Sequence, residues 1–156
     1  MTIKHYKLIP KKDLPIIAAN PVKEITKEIK DLAINLGLTM RKHQGIGIAA
    51  PQVGLHLCIL VLDTCTFTTD NSHGCTIMIN PEILEAKGEQ ELIEGCLSFP
   101  GEQVKVKRYK TVRVKWKTTQ NEFVETTFHG LAAQVIQHEY DHLLGKTMYD
   151  EDGWKL

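Results

Sequence analysis

Three rhythms of apolar and polar residues divide this chain. Between about Thr26 and Lys42, Ile29, Leu32, Ala33, Leu36 and Met40 recur at spacings of three and four with charges between them. That period predicts an amphipathic helix whose stripe packs in a core, although Gly37 weakens its middle. Leu57 to Asp63 is apolar and rich in β-branched residues, the pattern of a buried strand. Thr76–Asn80 and Ile83–Lys87 read as short strands meeting at Pro81. Val104–Val106, Thr111–Lys117 and Phe123–Phe128 alternate apolar with polar residues, which predicts half-buried antiparallel strands, with Thr119-Gln120-Asn121-Glu122 as a hairpin connection. A second helix is expected from about Leu131 to Leu144, with Gly145 where a helix-ending glycine belongs. Strand following strand predicts a meander rather than a βαβ series.

The intervening stretches are punctuated or polar. Pro10, Pro15 and Pro21 mark an irregular arm wrapped over the surface, with no catalytic feature, and Thr64 to Gly74 reads as a surface loop. At 156 residues the chain suits a single domain, 1–156, without a linker. Its 19 basic and 19 acidic residues cancel, so no electrostatic footprint argues for nucleic acid or an anionic membrane. Lys105, Lys107, Lys110, Arg113, Lys115 and Lys117 alternate as the solvated face of a sheet does. The longest apolar run, Leu55 to Leu62, is interrupted by His56 and too short for a bilayer, and Met1-Thr2-Ile3-Lys4-His5 starts no signal peptide. The expected compartment is the cytoplasm. Cysteines at 58, 65, 75 and 96 form no CxxC pair, as in proteins whose thiols stay reduced. Cys58 reads as core, and Cys65, His73 and Cys75 match no standard zinc spacing.

Chemistry concentrates in three stretches. In Gln137-His138-Glu139-Tyr140-Asp141-His142, two histidines four apart share a helix face and can converge on one metal ion, with Glu139 within reach of a water held there. A catalytic metal needs a third protein ligand and an open position, and Cys96 is the best candidate for the third. Cys96 lies in Glu94-Gly95-Cys96-Leu97-Ser98-Phe99-Pro100-Gly101, read as a constrained loop; taken alone it reads first as a small buried hydrophobe, with a nucleophile as the alternative. The third stretch, Gly45-Ile46-Gly47-Ile48-Ala49-Ala50-Pro51-Gln52, is a small-residue loop that can bring backbone close to a ligand. Its Gln52 is either a turn residue or a donor aimed into a cleft. Counting back from His138 puts Val135, Gln134 and Leu131 on the metal-facing side of the helix.

In this order and spacing, GIGIAAPQ, EGCLS and QHEYDH closely resemble the three signature motifs of the peptide deformylases. These are metalloenzymes that remove the formyl group from the N-terminal formylmethionine of newly made proteins. The resemblance runs from about residue 20 to residue 147. It implies an α+β fold in which antiparallel β-sheets surround a central helix carrying the HExxH-type motif. The implied ligands are Cys96, His138 and His142 around one divalent ion, ferrous iron first and zinc, nickel or cobalt as substitutes. It gives Glu139 the proton transfers, and Gln52 and the Leu97 N–H the developing oxyanion. Ile46 and Gly47 match the loop that pairs with the peptide backbone, and Leu131, Gln134 and Val135 match positions lining a pocket for the methionine side chain. Gln134 departs from the usually apolar residue there. Glu94 and Arg108 match a pair supporting the metal loop, the alternative being a surface ion bridge. The partners so implied are N-formylmethionyl nascent peptides, with at most transient ribosome contact, no nucleic acid, no membrane, and a monomer. The divergent arm and the short stretch after Gly145, without the C-terminal helix of many bacterial forms, resemble compact forms seen in some phages. An HExxH metallopeptidase would leave EGCLS and the glycine loop unexplained, and a silent relative would be expected to have lost a ligand or Glu139.

Overall fold

The computed structural model describes residues 2–15, 17–63 and 74–150. Helix α1, Lys27–Lys42, starts where Thr26 accepts the Ile29 N–H on its side-chain oxygen at 3.3 Å. Strands β1 (Gly47–Ala49), β2 (Ile59–Asp63), β3 (Cys75–Cys96), β4 (Phe99–Lys117) and β5 (Phe123–His129) follow, and helix α2, Gly130–Leu143, closes the series. The five strands form one sheet in chain order, each antiparallel to its neighbour. The α+β reading holds, with the histidine helix packed on that sheet.

The apolar run of β2 is continuous because both faces of the strand are covered. Leu60 and Leu62 join Met78, Val112, Val114 and the α2 residues Ala133 and Ile136 in one core. Ile59 and Val61 point the other way, into a second core with Ile48, Ile79 and the α1 residues Leu36 and Met40. Gly37 serves this packing: a β-carbon there would stand 3.3 Å from the Cys75 sulfur and 3.5 Å from Val61. Cys58 is half-buried against the first core, as expected.

Three sequence expectations are corrected. Thr76–Asn80 and Ile83–Lys87 belong to one strand, β3, and do not end at Pro81. Pro81 lacks an N–H, and the strand absorbs it with a register shift between Ile79 and Glu82 and a left-handed Asn80 at φ 51°. The Asn80 amide then holds Val22 through two bonds of 2.8 Å. Likewise Val104–Val106 and Thr111–Lys117 are parts of a single β4. Opposite charges bridge the polar middle of this hairpin, Lys105 to Glu91 at 3.2 Å and Arg113 to Glu85 at 3.3 Å. Finally, part of the Gly-Ala loop is strand β1, followed by a short 3-10 helix at Ala50–Val53.

The arm is irregular and tied down by backbone bonds, from Lys4 to Asn35 at 2.9 Å, Tyr6 to Thr39 at 2.8 Å and Ile9 to the Gln52 carbonyl at 2.7 Å. Helix α2 ends as foreseen: Gly145, at φ 77°, donates to the His142 carbonyl at 3.1 Å and Lys146 to that of Asp141 at 2.8 Å. Cys65 and His73 lie outside the described residues, as does most of the Thr64–Gly74 loop. No helix among the described residues is long and apolar enough to cross a membrane.

Candidate active site

Cys96 is the last residue of β3 and Leu97-Ser98 turn the chain into β4, so the cysteine stands at a hairpin end rather than in the expected loop. The tight turn pushes its side chain toward α2. Donor atoms of Cys96, His138 and His142 lie within 4.8 Å of one another, and the Cys96 sulfur is 3.4 Å from His142 Nε2. The two imidazoles, one helical turn apart, have ring centroids separated by 5.1 Å. One thiol and two imidazoles this close form a soft donor set suited to zinc or iron, and three protein ligands leave a position open.

The histidines are held from behind. His138 Nδ1 is 2.8 Å from Glu94 Oε1, which leaves Nε2 for the ligand role. Arg108 donates two bonds of 2.8 Å to the Glu94 carboxylate and a third, of 2.6 Å, to Asp141 Oδ2. Glu94, Arg108 and Asp141 are 5%, 4% and 1% exposed, so this is a buried triad and not a surface bridge. Burial alone would raise the Glu94 carboxyl, but hydrogen bonds from Arg108 and His138 outweigh it and hold it at about 2. Burial, with the charges of His138 and Arg108, holds His142 well below its ordinary value, so its ring is neutral and its lone pair available. Nothing in the sequence pattern singles out Asp141, a carboxylate three residues after His138 on the same helix.

Glu139 lies against this cluster, and its Oε2 is the one buried side-chain oxygen or nitrogen among the described residues without a hydrogen-bond partner. Burial pushes its carboxyl up to about 7, the range in which a group both accepts and returns a proton near neutrality. Strand β1 packs on the same turn of α2. A β-carbon on Gly47 would stand 2.5 Å from Val135 Cγ1 and 3.0 Å from Glu139, so only glycine fits. Gly47→Ala is therefore expected to displace Glu139 and lower kcat/KM by about 10²-fold, checked by steady-state kinetics beside an unfolding curve.

Gln52 is fully buried behind Cys96. Its Oε1 accepts the Ala49 N–H at 2.9 Å, which turns Nε2 toward Ser98 Oγ at 3.2 Å and the Cys96 sulfur at 3.5 Å. Gln52 thus combines a turn role, through its oxygen, with an amide directed at the Cys96–Ser98 turn, and it is not itself among the side chains that bound the cavity. The cavity, of about 800 Å³, is bounded by Ile46, Gly47, Glu94, Cys96, Leu97, Leu131, Gln134, Val135, His138 and Glu139. Leu8, Ile9 and Pro10 of the arm also line it, as does the His43-Gln44 turn after α1. The arm's part is not legible in the sequence, because aperiodic residues carry no signal for what they cover.

A profile of the polypeptide deformylase family matches residues 10–152. The chain belongs to the polypeptide deformylase family. The peptide deformylase of Aquifex aeolicus is 42% identical over 132 residues, 84% of this chain and 78% of that protein. The crystal structure of the Thermotoga maritima peptide deformylase covers 98% of this chain and 99% of its own, at 35% identity and a TM-score of 0.86. A Met-Ala-Ser-bound class I type b deformylase from Acinetobacter baumannii is 34% identical with a TM-score of 0.83, covering 94% and 98% of the two chains. Deformylase hydrolysis at a metal site is thus the family setting of the Cys96, His138 and His142 cluster.

Proposed function

We propose that this protein removes the formyl group from N-formylmethionyl peptides as they are made, using one catalytic domain over 1–156, as a monomer in the cytoplasm that meets the ribosome at most transiently. The observation carrying this reading is the convergence of Cys96, His138 and His142 beside a buried carboxylate, Glu139, one oxygen of which has no partner among the described residues. These three residues would hold a single metal ion, ferrous iron as the native metal. When bound, the ion supplies a Lewis acid that makes water nucleophilic near neutral pH.

The remaining work falls to the chain. Glu139 takes a proton from the attacking water and later delivers it to the peptide amine as the C–N bond breaks, releasing formate and a free N-terminus. The Gln52 amide and the Leu97 N–H face the carbonyl oxygen as it gains charge. Ile46 and Gly47, on the short strand β1, offer backbone to an extended peptide. Leu131, Gln134 and Val135 receive its first side chain, and Glu94 and Arg108 keep His138 in its tautomer. The Met-Ala-Ser bound to the Acinetobacter relative has the form of such a product.

Gln52→Leu is expected to lower kcat by about 10²-fold with little change in KM, the loss of one oxyanion donor, read from formate release. The metal assignment is tested by preparing the protein without oxygen and comparing iron-, zinc-, nickel- and cobalt-loaded forms on N-formyl-Met-Ala-Ser. Iron-loaded protein should be fast and fade in air. No formate release with any of the four metals would contradict the proposed function.

A further inference from the structure

One polar side chain in the cavity wall takes no part in the proton transfers or the oxyanion contacts. Gln134 precedes His138 by four residues and lines the cavity with Leu131, Val135 and Ile93. It therefore sits one turn, about 5.4 Å, along α2 from a metal-site histidine. One residue of peptide spans roughly 3.6 Å, so a substrate whose formyl carbon lies against Glu139 brings its first side chain to this turn. Leu131, Val135, Ile93, Ile46 and Leu97 give this wall an apolar lining, with Leu131 and Ile93 exposed at its rim and His43, Gln44 and Ser98 elsewhere on the cavity's boundary. Gln134 Nε2 donates to the Ile93 carbonyl at 3.3 Å, a long bond at the rim that uses one of its two N–H groups. The second N–H and Oε1 have no partner among the described residues.

A donor at the solvent-facing rim of a partly apolar pocket sorts side chains by what they accept in place of water. A thioether sulfur is a weak acceptor, an alkyl chain none, and a sulfoxide oxygen a strong one. We propose that Gln134 equips this pocket for a first side chain with a hydrogen-bond acceptor near its end, so that peptides beginning with N-formylmethionine sulfoxide are substrates beside those beginning with N-formylmethionine. This rests on the deformylase reading of the site, and the bonds made and broken are unchanged. The competing role is a clasp, in which the Ile93 bond merely holds α2 to β3.

The test compares kcat/KM of the metal-loaded enzyme on N-formyl-Met-Ala-Ser, its methionine sulfoxide counterpart and its norleucine counterpart, which keeps the length but accepts no hydrogen bond. In wild type the sulfoxide peptide should be cleaved at least as well as the norleucine peptide. Gln134→Leu should lower the sulfoxide-to-norleucine ratio about tenfold, and Gln134→Glu, which has the size but no amide donor, should lower it similarly. Equal losses on all three peptides would overturn the proposal and leave the clasp. So would a wild type that prefers norleucine over the sulfoxide by about 10²-fold, a result needing no variant. If wild type cleaves no formyl peptide at all, the deformylase reading fails instead.

Discussion

Glu139→Ala is expected to lower kcat/KM for a formyl peptide by roughly 10³- to 10⁴-fold while metal content stays at one ion per chain. The size follows from two proton transfers through one carboxylate, whose buried Oε2 has no hydrogen-bond partner among the described residues. Metal retention follows because the proposed ligands are Cys96, His138 and His142, none of which needs Glu139 for its hydrogen bonds. Formate release and metal analysis on the same preparation check both halves. Turnover within tenfold of wild type would remove Glu139 from the mechanism. Loss of metal together with activity would recast it as a ligand.

Arg108→Met should be the most damaging change away from the reacting atoms. It removes the one guanidinium shared by two carboxylates, Glu94 and Asp141, that are 5% and 1% exposed. Breaking a buried ion pair by removing one partner costs about 3–5 kcal/mol. A denaturant titration reads that loss directly. Metal affinity should fall as well, by about 10- to 100-fold, because Glu94 also fixes His138 at 2.8 Å. Arg108→Lys keeps the charge but not the forked geometry and should fall between. Unchanged stability and metal affinity in Arg108→Met would mean that the triad neither supports the fold nor orients the histidine.

Much of this site was legible because its chemistry is local in sequence. His138, Glu139 and His142 share one helix face, and helical period alone brings them together. Cys96 joins them from 42 residues upstream, and only its Gly-flanked, turn-bound setting marked it. What stayed hidden depended on distant pairing. The middle of the long hairpin lacks apolar alternation, so β3 and β4 looked like fragments, yet cross-strand charges such as Glu91 with Lys105 carry the ladder through. Asp141 carries no signal of its own in the sequence, because its guanidinium partner Arg108 lies 33 residues upstream. The arm residues Leu8, Ile9 and Pro10 gave no periodic signal at all, because their place at the cavity follows from the bond between Ile9 and the Gln52 carbonyl at 2.7 Å.

The most direct measurement offers the iron-loaded enzyme N-formyl-, N-acetyl- and unmodified Met-Ala-Ser together and follows all three by mass spectrometry. Loss of the formyl group alone, with formate and free Met-Ala-Ser appearing in equal amounts, is the predicted result. Cleavage of an internal peptide bond, or equal attack on the acetyl peptide, would contradict it.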